Sequence, residues 1–115
     1  MTLQQTILLL ADRRHSRAAT AIRGAGYRLI MAFTPDHAVA ICVENDVHAV
    51  VLDQDHFVVT EDWSVAQSLK MVKPRICVAL IVRGELERQE MPVGVDATIP
   101  EGDTVALLET LSRLV

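Results

Sequence analysis

Residues 6–12 read Thr-Ile-Leu-Leu-Leu-Ala-Asp, a continuous apolar run that ends in a carboxylate. A strand that is covered on both faces is apolar throughout, whereas a strand with one face in water alternates apolar and polar residues. The run therefore predicts a buried strand. Two further stretches have the same character: residues 48–53, which also end in an aspartate, and residues 76–82.

Amphipathic stretches with helical spacing separate these runs. The pattern predicts strands over residues 6–11, 27–33, 48–53, 76–82 and 96–99, and helices over about 16–24, 34–46, 61–72 and from 103 onward. Between the last two strands, Pro92 and Gly94 leave room for a turn or two, so the fourth helix is expected to be short or irregular. The side chains predicted to face inward are Ala18, Ala19 and Ile22, then Ala38, Ile41 and Cys42, then Trp63, Ala66, Leu69 and Val72, and finally Val105, Leu108 and Leu111.

Strands that alternate with helices are typical of an α/β fold with a parallel sheet between two helical layers. Right-handed crossovers and the short chain leave few topologies, and we expect the sheet order 2-1-3-4-5. No repeat, linker or low-complexity segment interrupts the pattern, so residues 1–115 are expected to form a single domain.

Composition excludes several classes of protein. The chain is 50% apolar and 23% charged, which argues against a disordered, collagen-like or disulfide-rich chain. Its 11 basic and 15 acidic residues give a net charge of −4. The largest basic cluster is Arg13, Arg14 and Arg17, so we expect no direct binding of nucleic acid.

The cysteines and the length of the apolar runs bear on the compartment. Cys42 and Cys77 belong to no Cys-x-x-Cys motif, and both are expected to be buried free thiols. The longest apolar run, residues 76–82, is far too short to span a membrane. These features together predict a cytoplasmic protein with no membrane association.

Two carboxylates follow two strands of the predicted sheet. Asp12 follows the first strand and Asp53 ends the third, and these strands are neighbours in the order 2-1-3-4-5. In an open α/β sheet, ligands bind beyond the carboxyl ends of the strands at the switch in strand order. We therefore expect the two carboxylates, with Asp55 close by, to form one pocket that suits a hard cation with oxygen ligands.

The histidines near these acids leave a second interpretation open. His15 and His56 lie close in sequence to Asp12 and Asp53, and imidazole with carboxylate ligands would suit Zn²⁺ or Ni²⁺. The spacing does not match a zinc motif, which favours two exposed loop histidines instead.

Three segments resemble one family: residues 6–12, residues 24–38, which run from Gly24 to Ala38, and residues 47–53, which read Val-His-Ala-Val-Val-Leu-Asp. In combination and spacing they are similar to the receiver domains of two-component response regulators, the CheY-like family. The resemblance covers most of the chain and implies the three-layer (βα)5 flavodoxin-like receiver fold.

The resemblance also implies a function. Asp53 would accept a phosphoryl group from a histidine kinase, and Mg²⁺ would be held by Asp12, Asp53 and the backbone carbonyl of Asp55. The implied partners are a histidine kinase or another signalling protein. A metal is needed because a carboxylate that attacks a phosphoryl group must have both negative charges screened.

The chain departs from the family at several positions. A single acid, Asp12, follows the first strand, where the family has two. No Ser or Thr lies between Ser68 and Thr98, and no Lys follows Lys73, so the hydroxyl and the lysine that contact the phosphoryl group have no counterpart. The aromatic switch residue is also missing, because no Phe, Tyr or Trp follows Trp63.

These departures predict an atypical receiver, or pseudo-receiver, that acts mainly through contact with other proteins. The alternative is a working receiver, phosphorylated on Asp53 with Mg²⁺, in which Arg83 supplies the missing cation. A less favoured alternative is a phosphatase of the haloacid-dehalogenase type, suggested by Asp53-Gln54-Asp55, but Phe57 replaces that motif's Thr and we expect no enzyme. A stunted fourth helix would expose Leu86, Val93 and Val95, which predicts a homodimer.

Overall fold

The computed structural model describes residues 4–11, 17–53, 65–82 and 94–115. In these residues the order of elements is β1 (Thr6–Ala11), α1 (Arg17–Gly24), β2 (Arg28–Ala32), α2 (Pro35–Glu44), β3 (Ala49–Asp53), α3 (Val65–Val72), β4 (Cys77–Val82), β5 (Ala97–Pro100) and α4 (Thr104–Leu114). All strand pairs are parallel, and the sheet order is β2-β1-β3-β4-β5, which confirms the predicted α/β topology. The short helix predicted between β4 and β5 lies outside the described residues.

Helices cover both faces of the sheet, as the apolar runs predict. On one face, alternate residues such as Leu8, Val50 and Val78 pack with α2 and α3. On the other face, the intervening residues, among them Leu9 and Val51, pack with α1 and α4. Every residue of β1 is buried, so successive side chains of the strand pack alternately into the two cores, and Thr6 at its start is its one polar residue.

Local signals place the helix ends where the sequence predicts them. The Thr34 hydroxyl accepts a hydrogen bond from the His37 amide at 3.2 Å, and Pro35 occupies the first helical turn of α2. At the start of α4, the Asp103 carboxylate accepts from the Ala106 amide at 2.9 Å. Both side chains satisfy an amide that has no partner within its helix.

Two of the predicted inward residues are wrong. Val105 is 66% exposed and Val72 is 37% exposed, and Leu108 is only half-buried. The others that the structure describes are buried as predicted: Ala18, Ala19, Ile22, Ala38, Ile41, Cys42, Ala66, Leu69 and Leu111. The predicted stripes repeat every third residue, and three residues cover only about 300° of an α-helix. Such a stripe rotates away from the core, and α4 instead buries Leu107, Thr110 and Leu111. Trp63 lies outside the described residues.

Val95, in the segment that leads into β5, corrects the prediction of an exposed apolar surface. Val95 is only 8% exposed and packs with Ala66 and Leu69 of α3, so it is not part of an exposed apolar surface. Gly94 has a φ of +90°, and a Cβ there would lie 3.0 Å from the backbone of Ala66. The chain can therefore approach α3 closely enough for Val95 to fill the core. Leu86 and Val93 lie outside the described residues.

Asp96 fixes this segment to its neighbours. Its Oδ2 atom accepts a hydrogen bond from the Val78 amide at 2.8 Å and an ion pair from Lys70 Nζ at 2.7 Å. The Asp96 amide in turn donates to the Val78 carbonyl at 2.8 Å. One residue thus joins α3 to β4 just before β5 begins.

Both cysteines are free thiols; Cys42 is buried as predicted, whereas Cys77 is only half-buried because it begins β4 at the margin of the core. Among the described residues no helix is long and apolar enough to cross a membrane.

Candidate functional site

Asp53 is the last residue of β3 and lies at the carboxyl edge of the sheet. It is half-buried, directly after Leu52, which is fully buried. Across the sheet its register partner on β1 is Ala11. The transition from a buried strand to solvent therefore falls at Asp53, which places its carboxylate beside β1 at the point where the strand order reverses.

The other predicted site residues lie beyond the described parts of the chain. Asp12 is the next residue in the chain after Ala11, the register partner of Asp53. Asp55 and Arg83 follow β3 and β4 in the sequence, and they lie outside the described residues, as do Asp12, His15 and His56. Across residues 4–11, 17–53, 65–82 and 94–115, no three His, Cys, Asp or Glu side chains are grouped to hold a metal. The metal and phosphoryl assignments stay predictions.

The neighbouring strand ends are apolar. Val82 of β4 is paired with Pro100 of β5, and Ile81 is paired with Ile99, which is 1% exposed. Thr98, the nearest hydroxyl on β5, is exposed and is paired with Leu80, further from the carboxyl edge. The described ends of β4 and β5 therefore offer neither a hydroxyl nor an ammonium group to an anion at Asp53.

A cleft that the sequence did not reveal lies at the opposite, amino edge of the sheet. It measures about 230 Å³ and is lined by Gln4, Thr6, Arg28, Ile30, Asn45, Asp46 and His48. These residues come from the starts of β1 and β2, the residue before β3, and the turn after α2. His48 is exposed, and its Nδ1 atom accepts a hydrogen bond from the Thr6 amide at 2.9 Å. Strand register and the end of α2 bring these residues together.

Solved structures similar to this one include response regulators and receiver domains. The response regulator TrrA of Thermotoga maritima, in complex with Mg²⁺ and BeF, superposes with a TM-score of 0.78 at 18% identity and covers 97% of this chain and 100% of its own. The chemotaxis response regulator CheY4 of Vibrio cholerae superposes with a TM-score of 0.76 at 15% identity, covering 98% and 100%. The receiver domain of the hybrid histidine kinase CckA reaches 0.69 at 21% identity, covering 95% and 97%.

The fold is that of receiver domains. The match spans nearly the whole of both chains, and the order β2-β1-β3-β4-β5 confirms the fold that the sequence resemblance implies. No protein-family model and no curated protein matches the sequence. At these identities the likeness establishes the fold, and the function has to be argued from the residues of this chain.

Proposed function

We propose that the chain is an atypical receiver-like domain of two-component signalling, residues 1–115, which acts mainly through contact with other proteins. One observation carries the proposal: the receiver fold keeps a carboxylate, Asp53, at the end of β3, while the described ends of β4 and β5 are the apolar Val82, Ile99 and Pro100. A phosphoryl group on Asp53 would find no hydroxyl or lysine on those strand ends. Phosphorylation of Asp53 would therefore not be coupled to β4 and β5 through such contacts.

The residues at the carboxyl edge fit a weakly bound Mg²⁺. Asp53 offers one carboxylate, and Asp12 and the backbone carbonyl of Asp55 would complete the protein ligands. The donor set is all oxygen, as Mg²⁺ requires, and a single acid after β1 would leave more positions to water. Bound there, the ion would neutralise charge on Asp53 and on an incoming phosphoryl group.

The position of Asp53 favours one alternative, a receiver that is still phosphorylated. In that case an oxygen of Asp53 forms a bond to phosphorus as the bond from phosphorus to the kinase histidine breaks. Arg83, directly after β4, would supply the positive charge that β5 lacks. The neighbouring TrrA structure, which holds Mg²⁺ and BeF, supports metal binding in proteins of this fold.

A test separates the two functions. The protein is incubated with Mg²⁺ and acetyl phosphate, its intact mass is measured, and the experiment is repeated with Asp53→Asn and with Asp36→Asn, an exposed aspartate on α2, as a control. The proposal expects no lasting phosphoryl adduct in any of the three proteins. An adduct that Asp53→Asn abolishes and Asp36→Asn retains would refute it and establish the working receiver.

The partners proposed on this basis are a histidine kinase or another signalling protein, in the cytoplasm. Two free thiols are compatible with a reducing compartment. A homodimer loses part of its support because Val95 is buried. We propose no enzymatic activity; turnover of a generic phosphate ester that Asp53→Asn abolishes would instead favour the phosphatase.

A further inference from the structure

The cleft at the amino edge of the sheet is built from three in-register positions. Thr6 of β1 is paired with Arg28 of β2, and on its other side β1 lies against β3, where Ile7 pairs with Ala49. His48, one residue before Ala49, is therefore level with Thr6, and the two exchange hydrogen bonds at 2.9 Å in both directions. Since Leu8, Ile30 and Val50 pack toward α2, the alternation of side chains directs Thr6, Arg28 and His48 toward the same face.

The end of α2 forms the opposite wall. Asn45 caps the helix, with its backbone amide donating to the Ile41 carbonyl at 2.9 Å, and Lys73 Nζ donates to the Asn45 carbonyl at 2.8 Å. These bonds hold the turn in place and present Asp46 to the cleft. The turn that forms this wall is therefore held by two hydrogen bonds to its backbone, one of them from the Lys73 side chain.

Three polar groups of the cleft stay unpaired. Within the residues that the structure describes, no hydrogen bond or ion pair involves the Arg28 guanidinium, the Asp46 carboxylate or the Thr6 hydroxyl. Thr6 is only 7% exposed and lines the cleft. Among the described residues no buried side-chain polar atom lacks a hydrogen-bond partner, so the unpaired Thr6 hydroxyl is accessible from the cleft and can bond to a ligand atom there.

The hydrogen-bond directions define the kind of ligand. His48 Nδ1 accepts from the Thr6 amide, so the neutral imidazole carries its proton on Nε2 and can donate there. Arg28 adds a cationic donor and Asp46 an anionic acceptor at the other wall, and half-buried Ile30 provides an apolar surface between them. The cleft therefore offers a cationic donor, Arg28, and an anionic acceptor, Asp46. These two side chains lie too far apart to form an ion pair with each other.

We propose that this cleft binds a small α-amino carboxylate. Arg28 and His48 Nε2 would donate to the ligand carboxylate, and Asp46 would accept from its ammonium group. The Thr6 hydroxyl would form a hydrogen bond with whichever of these two ligand groups lies next to it. The volume of about 230 Å³ accommodates a ligand such as L-alanine. The site is at the opposite edge of the sheet from Asp53, roughly 16 Å away along β3, so it does not depend on the proposed function.

Three probes of matched shape test the proposal: L-alanine, propanoate, which lacks the ammonium group, and ethylamine, which lacks the carboxylate. Each is titrated into the ¹⁵N-labelled protein while the amide resonances of Thr6, Arg28, Asp46 and His48 are followed. L-Alanine should give saturable shifts and bind at least about tenfold more tightly than either fragment, because each fragment forfeits a charge-assisted hydrogen bond.

Variants show which group binds which part of the ligand. Arg28→Gln should lower the affinity for L-alanine to about that for ethylamine, and Asp46→Asn to about that for propanoate. Arg23→Gln, on the exposed end of α1, is the matched control and should bind as the wild type does. All three residues are exposed, so the fold should tolerate these changes. Absence of saturable shifts with L-alanine, or equal affinity for propanoate and L-alanine, would overturn the proposal.

Discussion

Replacing Asp96 with Ala should destabilise the protein far more than its partly exposed position suggests. Asp96 makes a surface ion pair with Lys70, but the same Oδ2 atom also accepts from the amide of Val78, a residue with 0% exposure. The substitution removes both contacts. Water cannot reach the Val78 amide from the core side, so that N–H would be left without a partner.

The magnitude follows from the two contacts. An unsatisfied buried amide costs about 1–3 kcal/mol. The ion pair joins side chains that are 27% and 37% exposed, so solvent screening limits its contribution to less than about 1 kcal/mol. The sum is about 1–4 kcal/mol. For a chain of 115 residues, at about 2 cal/mol/K of unfolding entropy per residue, this corresponds to a Tm lower by roughly 4–17 °C.

Thermal unfolding followed by circular dichroism, with urea unfolding for the free energy, measures the effect. Lys70→Met removes only the ion pair and should lower Tm by less than about 4 °C. Asp96→Asn keeps an acceptor for the Val78 amide and should fall between the two. If Lys70→Met costs as much as Asp96→Ala, the ion pair and not the amide contact is the stabilising interaction, and the reasoning is refuted.

Two further predictions concern α4 and Cys42. Leu107→Ala should lower the free energy of unfolding by about 2–5 kcal/mol, whereas Val105→Ala should stay within about 0.5 kcal/mol; a larger loss at Val105 in urea unfolding would show that α4 buries the other face. Burial raises the pKa of the Cys42 thiol above its ordinary 9.0, with Lys73 opposing the shift. The unfolded chain therefore loses this proton first as the pH rises, so stability is full below pH 9.0 and declines from there up to the raised pKa. Urea unfolding of wild type and Cys42→Ala at neutral and alkaline pH should show this decline in the wild type alone, and equal declines would contradict it.

Much of the fold can be predicted from the sequence because the signals that define its strands and helix ends are local. The apolar runs of β1, β3 and β4 are continuous, and the capping residues Thr34 and Asp103 act on amides three residues away. The candidate site is predictable in part for the same reason. Asp53 is the last residue of a buried run, and its place at the carboxyl edge follows once the sheet is parallel.

The faces of α3 and α4 were harder to predict. Several apolar residues lie at spacings that fit more than one stripe, and the helical spacing predicts Val105 and Val72 in the core although both face solvent. The sequence shows that a helix is amphipathic, but the position of the sheet decides which of two overlapping stripes is buried. The same holds for Val95, whose burial depends on the close approach that Gly94 permits to α3.

Taken alone, the sequence determined the α/β class, the strand positions, the carboxylate at the end of β3, and the lack of any lysine after Lys73 or any Ser or Thr between Ser68 and Thr98. Each of these depends on residue type or on neighbours within a few positions. Tertiary structure alone decided the Asp96 contacts with α3 and β4, and the cleft that joins Thr6 to Arg28 and His48. Thr6 and His48 are 42 residues apart in the chain, and parallel strand register, a long-range property, is what sets them side by side.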